Sequence, residues 1–195
     1  MTVATDRLHL EDYIRYNDGT NTRYELVCGE LVKMAIGSGR HGEIADFLNR
    51  EFRRFIKRDD RPWVSKQMAV GVQSPRGGRW ETVRIPDVII VDRQQWLDLQ
   101  EREAIICLGE PPPLLVVEVV SPSTQQVDYR AKRVEYSVLN IPEYWIVDPL
   151  EDKVTVWVWI DADYEATEFR DNAMIVSPIF PRLELTAQQV LYPEI

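Results

Sequence analysis

The segment that decides the fold reads LLVVEVV over Leu114–Val120 and is the densest apolar run of the chain. Such a continuous, β-branched run is typical of a strand that is buried on both faces of a sheet. One carboxylate, Glu118, lies inside it. A second apolar run, Val88–Val91, directly follows Pro86-Asp87. The sequence therefore predicts a sheet core in which two strands each carry one acidic side chain.

Helices and strands are predicted on both sides of this segment. Their order is αββ, α, ββ, α, β, α, ββ, which favours one α/β domain with a mixed sheet over residues 1–195. The clearest helix spans Arg40–Lys57, because its apolar residues are spaced by three and four. Pro86 predicts an edge, a bend or a strand start. A further helix is predicted over Gln126–Leu139, and its expected apolar face consists of Val127, Ala131, Val134 and Val138.

Length and composition exclude several classes of protein. The chain has 195 residues, of which 45% are apolar and 28% charged, as in globular rather than disordered or fibrous proteins. No apolar run reaches the length of a membrane span, so we expect no membrane partner. The N-terminus lacks a signal-peptide pattern, and two cysteines, Cys28 and Cys107, do not make a disulfide framework. A cytoplasmic protein is therefore expected.

The charge is unevenly distributed along the chain. The formal net charge of -9 taken alone opposes a nucleic-acid partner. Residues 142–195 contain 3 basic and 11 acidic residues, whereas residues 40–84 contain 11 basic and 6 acidic residues. The basic segment forms either an ordinary solvated face or a site for the phosphates of DNA. Its cations on the long helix include Arg50, Arg53, Arg54 and Lys57.

Asp87 and Glu118 are the candidate metal ligands. An ionised carboxylate in a buried sheet is costly unless it has a partner, and a metal ion is a common one. Two carboxylates from neighbouring strands, with a backbone carbonyl and waters, suit Mg²⁺. The alternative is that Glu118 pairs with a lysine or an arginine, or that it ends its strand at the surface.

Lys132 has two interpretations as well. It follows Asp128 by four residues on the second predicted helix, which is the spacing of an exposed ion pair of marginal value. Turned toward Glu118 instead, its ammonium group would orient the attacking water or neutralise charge on a phosphoryl group.

Several short motifs occur in order along the chain, and together they carry a family resemblance. They are RYEL (Arg23–Leu26), GELV (Gly29–Val32), His41, Pro86-Asp87-Val88, VEVVSPST (Val117–Thr124), DYRAK (Asp128–Lys132), Tyr136 and EYWIVDP (Glu143–Pro149). Through these motifs the chain resembles the Uma-type restriction-endonuclease-like family, a branch of the PD-(D/E)XK nuclease superfamily. The resemblance implies a restriction-endonuclease-like core, in which a mixed β-sheet flanked by helices carries the metal site.

The resemblance also implies catalytic residues. Asp87 matches the aspartate of the motif, and Glu118 matches its second acid. Val120 stands where the usual lysine is expected, and the resemblance places that lysine on the next helix, as Lys132. The remaining members implied on the side that faces the site are Glu30 and His41.

Two functions from different classes follow. The first is a nuclease that hydrolyses DNA, with Mg²⁺ or Mn²⁺ on Asp87, Glu118 and the Val119 carbonyl. The second is an inactive descendant of the same fold that binds DNA or protein as a homodimer; Val120 and the acidic last quarter favour it. An ammonium group of Lys132 that converges with both carboxylates favours the nuclease, and one that points away favours the binding module.

Overall fold

The strands divide between two sheets in a computed structural model that describes residues 7–194. The large sheet has the order β11-β10-β9-β8-β6-β3, and the small sheet has the order β2-β1-β5-β4-β7. Each sheet mixes parallel and antiparallel pairs, so the predicted α/β class with mixed sheets is confirmed. The strands are β1 (Tyr24–Val27), β2 (Glu30–Lys33), β3 (Trp63–Gln67), β4 (Gly71–Gln73), β5 (Val83–Arg84), β6 (Val88–Asp92), β7 (Ile105–Ile106), β8 (Leu115–Val119), β9 (Glu143–Asp148), β10 (Lys153–Ile160) and β11 (Asp163–Phe169).

Pro86 marks the point where the chain passes from one sheet to the other. β5 ends at Arg84 in the small sheet, and β6 begins at Val88 in the large sheet. Proline has no backbone N–H to donate, so it interrupts a strand where the ladder can change partners. Asp87 therefore lies at the entrance to β6, between the two sheets.

Five α-helices and one π-helical stretch surround the sheets in the described part of the chain. The stretch Val127–Lys132, which we call the π segment, runs directly into α4. Ser38 caps the longest helix by accepting a hydrogen bond from the backbone N–H of His41. The α-helices are α1 (Leu10–Arg15), α2 (Gly39–Arg58), α3 (Arg93–Leu99), α4 (Arg133–Val138) and α5 (Ala187–Leu191).

The large sheet is covered on both faces. One face packs against α2 and α5, where Phe52, Trp145 and Phe180 form an aromatic group. The opposite face packs against α3 and against the π segment with α4, around Tyr136 and Tyr144. β8 is therefore buried from both sides, as its apolar sequence predicts. Within residues 7–194, no helix combines the length and the apolarity that a membrane crossing requires.

The predicted apolar face of the second helix is wrong. Val134 and Val138 are 51% and 55% exposed. Charged side chains are stable on the inner face because they pair with one another and with groups on the sheets, which offsets the cost of removing them from water. The inner face of the π segment and α4 carries Asp128, Lys132, Glu135 and Tyr136.

Candidate active site

Asp87 and Glu118 lie at the same end of two neighbouring strands. β6 and β8 are antiparallel, and their register pairs Val88 with Val117. One step further along this register, Asp87 lies opposite Glu118. Asp87 Oδ2 also accepts a hydrogen bond of 2.7 Å from the backbone N–H of Val119. The two carboxylates are thus fixed by the backbone of β8 at one end of the large sheet.

Lys132 reaches this point from the π segment. Its Nζ lies 2.7 Å from Glu118 Oε2 and 3.1 Å from Asp128 Oδ1, and its side chain is only 7% exposed. Single π-helical turns inserted in helices often mark functional sites. The pair with Asp128 exists, but it is buried, and Lys132 also contacts Glu118. The i, i+4 pair is therefore buried rather than exposed, and Lys132 is turned toward Glu118, so Glu118 does pair with a lysine; the catalytic role of Lys132 stays a prediction.

Two buried tyrosines hold the acidic groups in place. The Tyr136 hydroxyl donates a hydrogen bond of 2.8 Å to Glu118 Oε1, and the Tyr144 hydroxyl donates one of 3.1 Å to the carbonyl oxygen of Asp128. The two rings meet edge to face at 5.1 Å between their centroids. Glu118 is consequently bound at both oxygens, by Tyr136 and by Lys132, so its side chain has one fixed orientation.

His41 closes the site at the N-terminal end of α2. Its Nε2 lies 2.9 Å from Asp87 Oδ1, and this hydrogen bond raises the pKa of His41 above the usual value. His41 Nδ1 is buried and has no hydrogen-bond partner among residues 7–194. The side chains of His41 and Asp87 are 17% and 10% exposed, more than those of Glu118 and Lys132. The site is therefore more open to solvent at His41 and Asp87 than at Glu118 and Lys132.

Burial and like charge shape the protonation of the cluster. Burial, together with the charges of Asp128 and Asp87, raises the pKa of Glu118 well above its usual range, although Lys132 lowers it. Burial also raises the pKa of Asp128. Burial opposes the charged form of Lys132, but the charges of Glu118 and Asp128 outweigh it and raise the lysine pKa. Two acids, Glu118 and Asp128, thus contact the ammonium group of Lys132. The third acid, Asp87, contacts His41 instead.

The donor set at this end of the sheet fits a hard divalent cation. Within the described residues, no group of three or more His, Cys, Asp or Glu side chains is arranged to coordinate a metal ion. Mg²⁺ does not need one, since it is usually held by one or two carboxylates with waters and substrate phosphate. Each oxygen of Asp87 and Glu118 accepts one contact from the protein and retains a second lone pair. Apart from the ion pair of Oδ1 with Lys132, the oxygens of Asp128 have no hydrogen-bond partner within residues 7–194.

Glu25 is a neighbour of the site that the sequence analysis did not single out. Arg84 Nη1 donates to its Oε2 at 2.8 Å, and the backbone N–H of Ile85 donates to its Oε1 at 3.0 Å. Burial raises the pKa of Glu25, but the charges of Lys132 and Arg84 outweigh it and hold that pKa below the ordinary value. Arg84 also binds both oxygens of Glu135, at 2.7 and 2.9 Å. This buried network links the small sheet to the helix that carries Lys132.

The sequence signal that could have indicated Glu25 was the RYEL motif. The acid of this motif is Glu25, which directly precedes the buried Leu26.

Glu30 is not brought to the site. It lies on β2, pairs across the hairpin with Val27, and has a side chain that is 72% exposed at 4.0 Å from Arg7. Of the two acids in this hairpin, Glu25 is the one that approaches the catalytic candidates. Val119 does touch Asp87, but through its amide nitrogen; its carbonyl as a ligand stays a prediction.

The basic face of α2 is separate from the acidic cluster. Arg50 is nine residues from His41 and Lys57 is sixteen, which corresponds to about 14 and 24 Å along the helix axis. Arg50 lies 3.2 Å from Asp46, and Arg54 lies 2.6 Å from Glu51. Half of the predicted DNA contacts are therefore paired with acids on the same helix. The other two cations, Arg53 and Lys57, form no salt bridge within residues 7–194 and are exposed.

Comparison with known proteins supports the same fold. The crystal structure of "a putative nuclease belonging to DUF820" from Anabaena variabilis ATCC 29413 superposes with a TM-score of 0.74. The match covers 94% of this chain and 97% of that chain at 16% sequence identity, so the likeness concerns the fold. None of the curated proteins compared with the chain matches it significantly. The family model described as "Uma2: Putative restriction endonuclease" matches residues 10–188, and the chain therefore belongs to the Uma2 family.

Proposed function

We propose that this protein is a metal-dependent endonuclease that hydrolyses phosphodiester bonds of DNA. The observation that carries the proposal is the contact of 2.7 Å between Lys132 Nζ and Glu118 Oε2. Asp87 lies beside this pair, because it accepts a hydrogen bond from the backbone N–H of Val119, the residue that follows Glu118 on β8. An acid from each of two strands and one ammonium group from a helix thereby meet at one end of the sheet. Family membership supports a nuclease, and the geometry supports an active one despite Val120 in the usual lysine position.

The residues of the cluster have separate roles in this proposal. Asp87 and Glu118 would hold Mg²⁺ or Mn²⁺, with the Val119 carbonyl as a further ligand. A divalent ion, when bound, supplies positive charge that polarises the phosphate. Lys132 orients the attacking water and neutralises charge that develops on the phosphoryl oxygens. His41 donates to Asp87 and fixes the orientation of that carboxylate.

In this proposal, the exposed cations of α2 bind DNA at a distance from the cleaved bond. Arg53 and Lys57 have no acidic partner within residues 7–194, and they lie about 18 and 24 Å from His41 along the helix. Phosphates follow one another at about 3.4 Å along each strand of DNA, so these side chains would bind phosphates several nucleotides from the cleaved bond. Arg50 and Arg54 would join them by exchanging their acidic neighbours for phosphates.

We also propose a homodimer in a cytoplasmic setting. Two copies of the site would allow one assembly to cut two strands of DNA, and both cysteines are free, as expected of a reducing compartment. Trp157 and Trp159 are half-buried and pack around Tyr164 within the protomer, so they do not supply the interface of this dimer. Sedimentation of the purified protein measures its molar mass in solution, and a homodimer gives twice the mass of one chain.

The activity assay incubates the protein with supercoiled plasmid and with linear DNA in Mg²⁺ or Mn²⁺. We expect cleavage that a chelator abolishes and that Asp87→Asn slows by at least about 10²-fold, because the variant would hold the divalent ion that polarises the phosphate less firmly. Asp163→Asn is the matched control, since the Asp163 side chain is 78% exposed at the start of an edge strand. Cleavage that persists in chelator, or in Asp87→Asn, would refute the site. A folded protein that binds DNA and never cleaves it would favour the inactive binding module.

A further inference from the structure

A groove of about 460 Å³ runs between the turn Pro75–Gly78 and the outer face of the π segment and α4. Arg76 and Arg130 line it together with apolar side chains, and Glu135 lies buried at its base. We call this feature the arginine groove. It is separate from the site at Asp87 and Glu118, since neither of those residues lines it.

The apolar wall of the arginine groove is unusually open to solvent. Val134 and Val138 are each more than half exposed, and Pro75 and Ala131 extend the same surface. A helix normally turns such residues toward the core. Here the inner face of the helix is used by charged groups, so the apolar residues are left at the surface. An exposed apolar strip of this kind suits a flat, weakly polar ligand.

The rim of the groove is basic although the protein is acidic. Arg76 has one acidic contact, at 3.5 Å from Glu135, and that carboxylate already receives two hydrogen bonds from Arg84. Arg130 forms no salt bridge within residues 7–194 and is exposed. In a chain with a net charge of -9, an exposed Arg130 without an acidic partner, beside an Arg76 that shares its carboxylate with Arg84, suits an anionic ligand.

The groove adjoins the candidate active site through one helix. Arg130 lies between Asp128 and Lys132 in sequence, so the π segment presents the active-site groups on its inner face and Arg130 on its outer face. Glu135 connects the base of the groove to Arg84, and Arg84 binds Glu25 beside the site. The groove and Lys132 thus lie on opposite faces of one helical segment, which is about 10–12 Å across with its side chains, so a strand that contacts both would pass around the segment within a few nucleotides.

A second cavity, of about 430 Å³, is less suited to phosphate. Three tyrosines line it, but so do Asp18 and Glu103, and its one lining arginine, Arg23, donates to the carbonyl oxygen of Met68. Its charge opposes a polyanion. The arginine groove is the cavity whose charge complements nucleic acid.

We propose that the arginine groove binds a single-stranded segment of DNA next to the cleaved phosphate. Arg76 and Arg130 contact its phosphates, and one unstacked base lies against Val134 and Val138. Base faces are hidden inside a duplex and become available in single strands, where aromatic rings and arginine planes stack on them, and apolar side chains enclose bases that are flipped out of the stack. This inference rests on the proposed nuclease function and specifies the substrate of that site.

The test measures binding in the presence of a chelator, so that cleavage plays no part. The probes are a labelled single-stranded DNA oligonucleotide and the same sequence as a blunt duplex. We expect the single strand to bind at least about tenfold more tightly, and Val134→Glu to weaken its binding by about tenfold or more. Arg130→Gln should lower the slope of log K against log salt by about 0.7, the value for one phosphate contact with a single strand.

Matched controls lie elsewhere on the surface. Leu150→Glu places the same charge at a residue that is also half exposed, and Arg170→Gln removes an arginine whose side chain is 47% exposed beside Glu168. Both control variants should bind single-stranded DNA like the parent protein.

Equal affinity for single-stranded and duplex DNA, or parent-like binding by both Val134→Glu and Arg130→Gln, would overturn the proposal. A protein that cleaves DNA while the groove variants bind normally refutes the groove alone. Groove-dependent binding without cleavage in Mg²⁺ refutes the nuclease instead.

Discussion

Lys132→Met is expected to reduce DNA cleavage by about 10²- to 10³-fold, because it removes the ammonium group that contacts Glu118. The methionine has a similar length and no charge, so the loss reports charge rather than shape. It also leaves Glu118 and Asp128 buried together without their cation. Removing one partner of a buried pair typically costs about 3–5 kcal/mol, and the raised pKa values of both acids lessen the cost because either acid can take up a proton.

The experiment must separate lost chemistry from lost folding. Cleavage rates are therefore measured well below the melting temperature of each variant, and DNA binding in chelator is measured beside them. Lys153→Met is the matched control, because Lys153 lies 2.7 Å from Glu168, whose side chain is 49% exposed, and such a pair contributes about 0–1 kcal/mol. A folded Lys132→Met protein that cleaves at the parent rate would remove Lys132 from the mechanism.

Arg84→Met is expected to give the largest loss of stability, about 3–5 kcal/mol in the free energy of unfolding. Arg84 is 3% exposed at its side chain, and it binds both oxygens of Glu135 and one of Glu25. Methionine fills much of the space and leaves two largely buried carboxylates without their main partner. Urea unfolding at neutral pH measures the difference. Arg54→Met serves as the control, since Arg54 is 54% exposed beside Glu51 and its loss should cost at most about 1 kcal/mol.

The contribution of Glu25 gives this difference a pH dependence with a definite sign. The pKa of Glu25 is lowered in the folded protein from an ordinary value of 4.5, because Lys132 and Arg84 outweigh the effect of burial. The stability that follows from a lowered pKa is present above 4.5 and is lost as the pH falls through the folded value. The gap between the parent protein and Arg84→Met should therefore narrow under acid conditions. A gap that stays constant or widens on acidification would contradict the role given to the Arg84–Glu25 pair.

Elements with strong periodicity were predictable from sequence. The spacing of apolar residues predicted a helix over Arg40–Lys57, and α2 spans Gly39–Arg58. The apolar run Leu114–Val120 predicted a buried strand, and β8 spans Leu115–Val119. The division into two sheets was not predictable, because β4, β5 and β7 have only three, two and two residues and so show no period.

The candidate site was predictable only in part, for a related reason. Asp87 and Glu118 stand out as acids in apolar strands, and the resemblance directs attention to Lys132. The prediction of which residues of this helix face the core was wrong beyond Lys132. A pattern of apolar residues cannot show that charged groups such as Glu135 will find buried partners. The burial of Arg84 could not be predicted from the sequence either. Its partners, Glu25 and Glu135, lie far from it in sequence and contact it only in the folded chain.

The most direct test of the central claim is an anomalous difference map from crystals of the protein soaked in Mn²⁺. The account predicts a peak between the carboxylates of Asp87 and Glu118, and its disappearance in crystals of Asp87→Asn grown and soaked in the same way. A map without a peak at these two residues, from crystals that diffract well and cleave DNA when dissolved, would contradict it. A peak that survives unchanged in Asp87→Asn would contradict it as well.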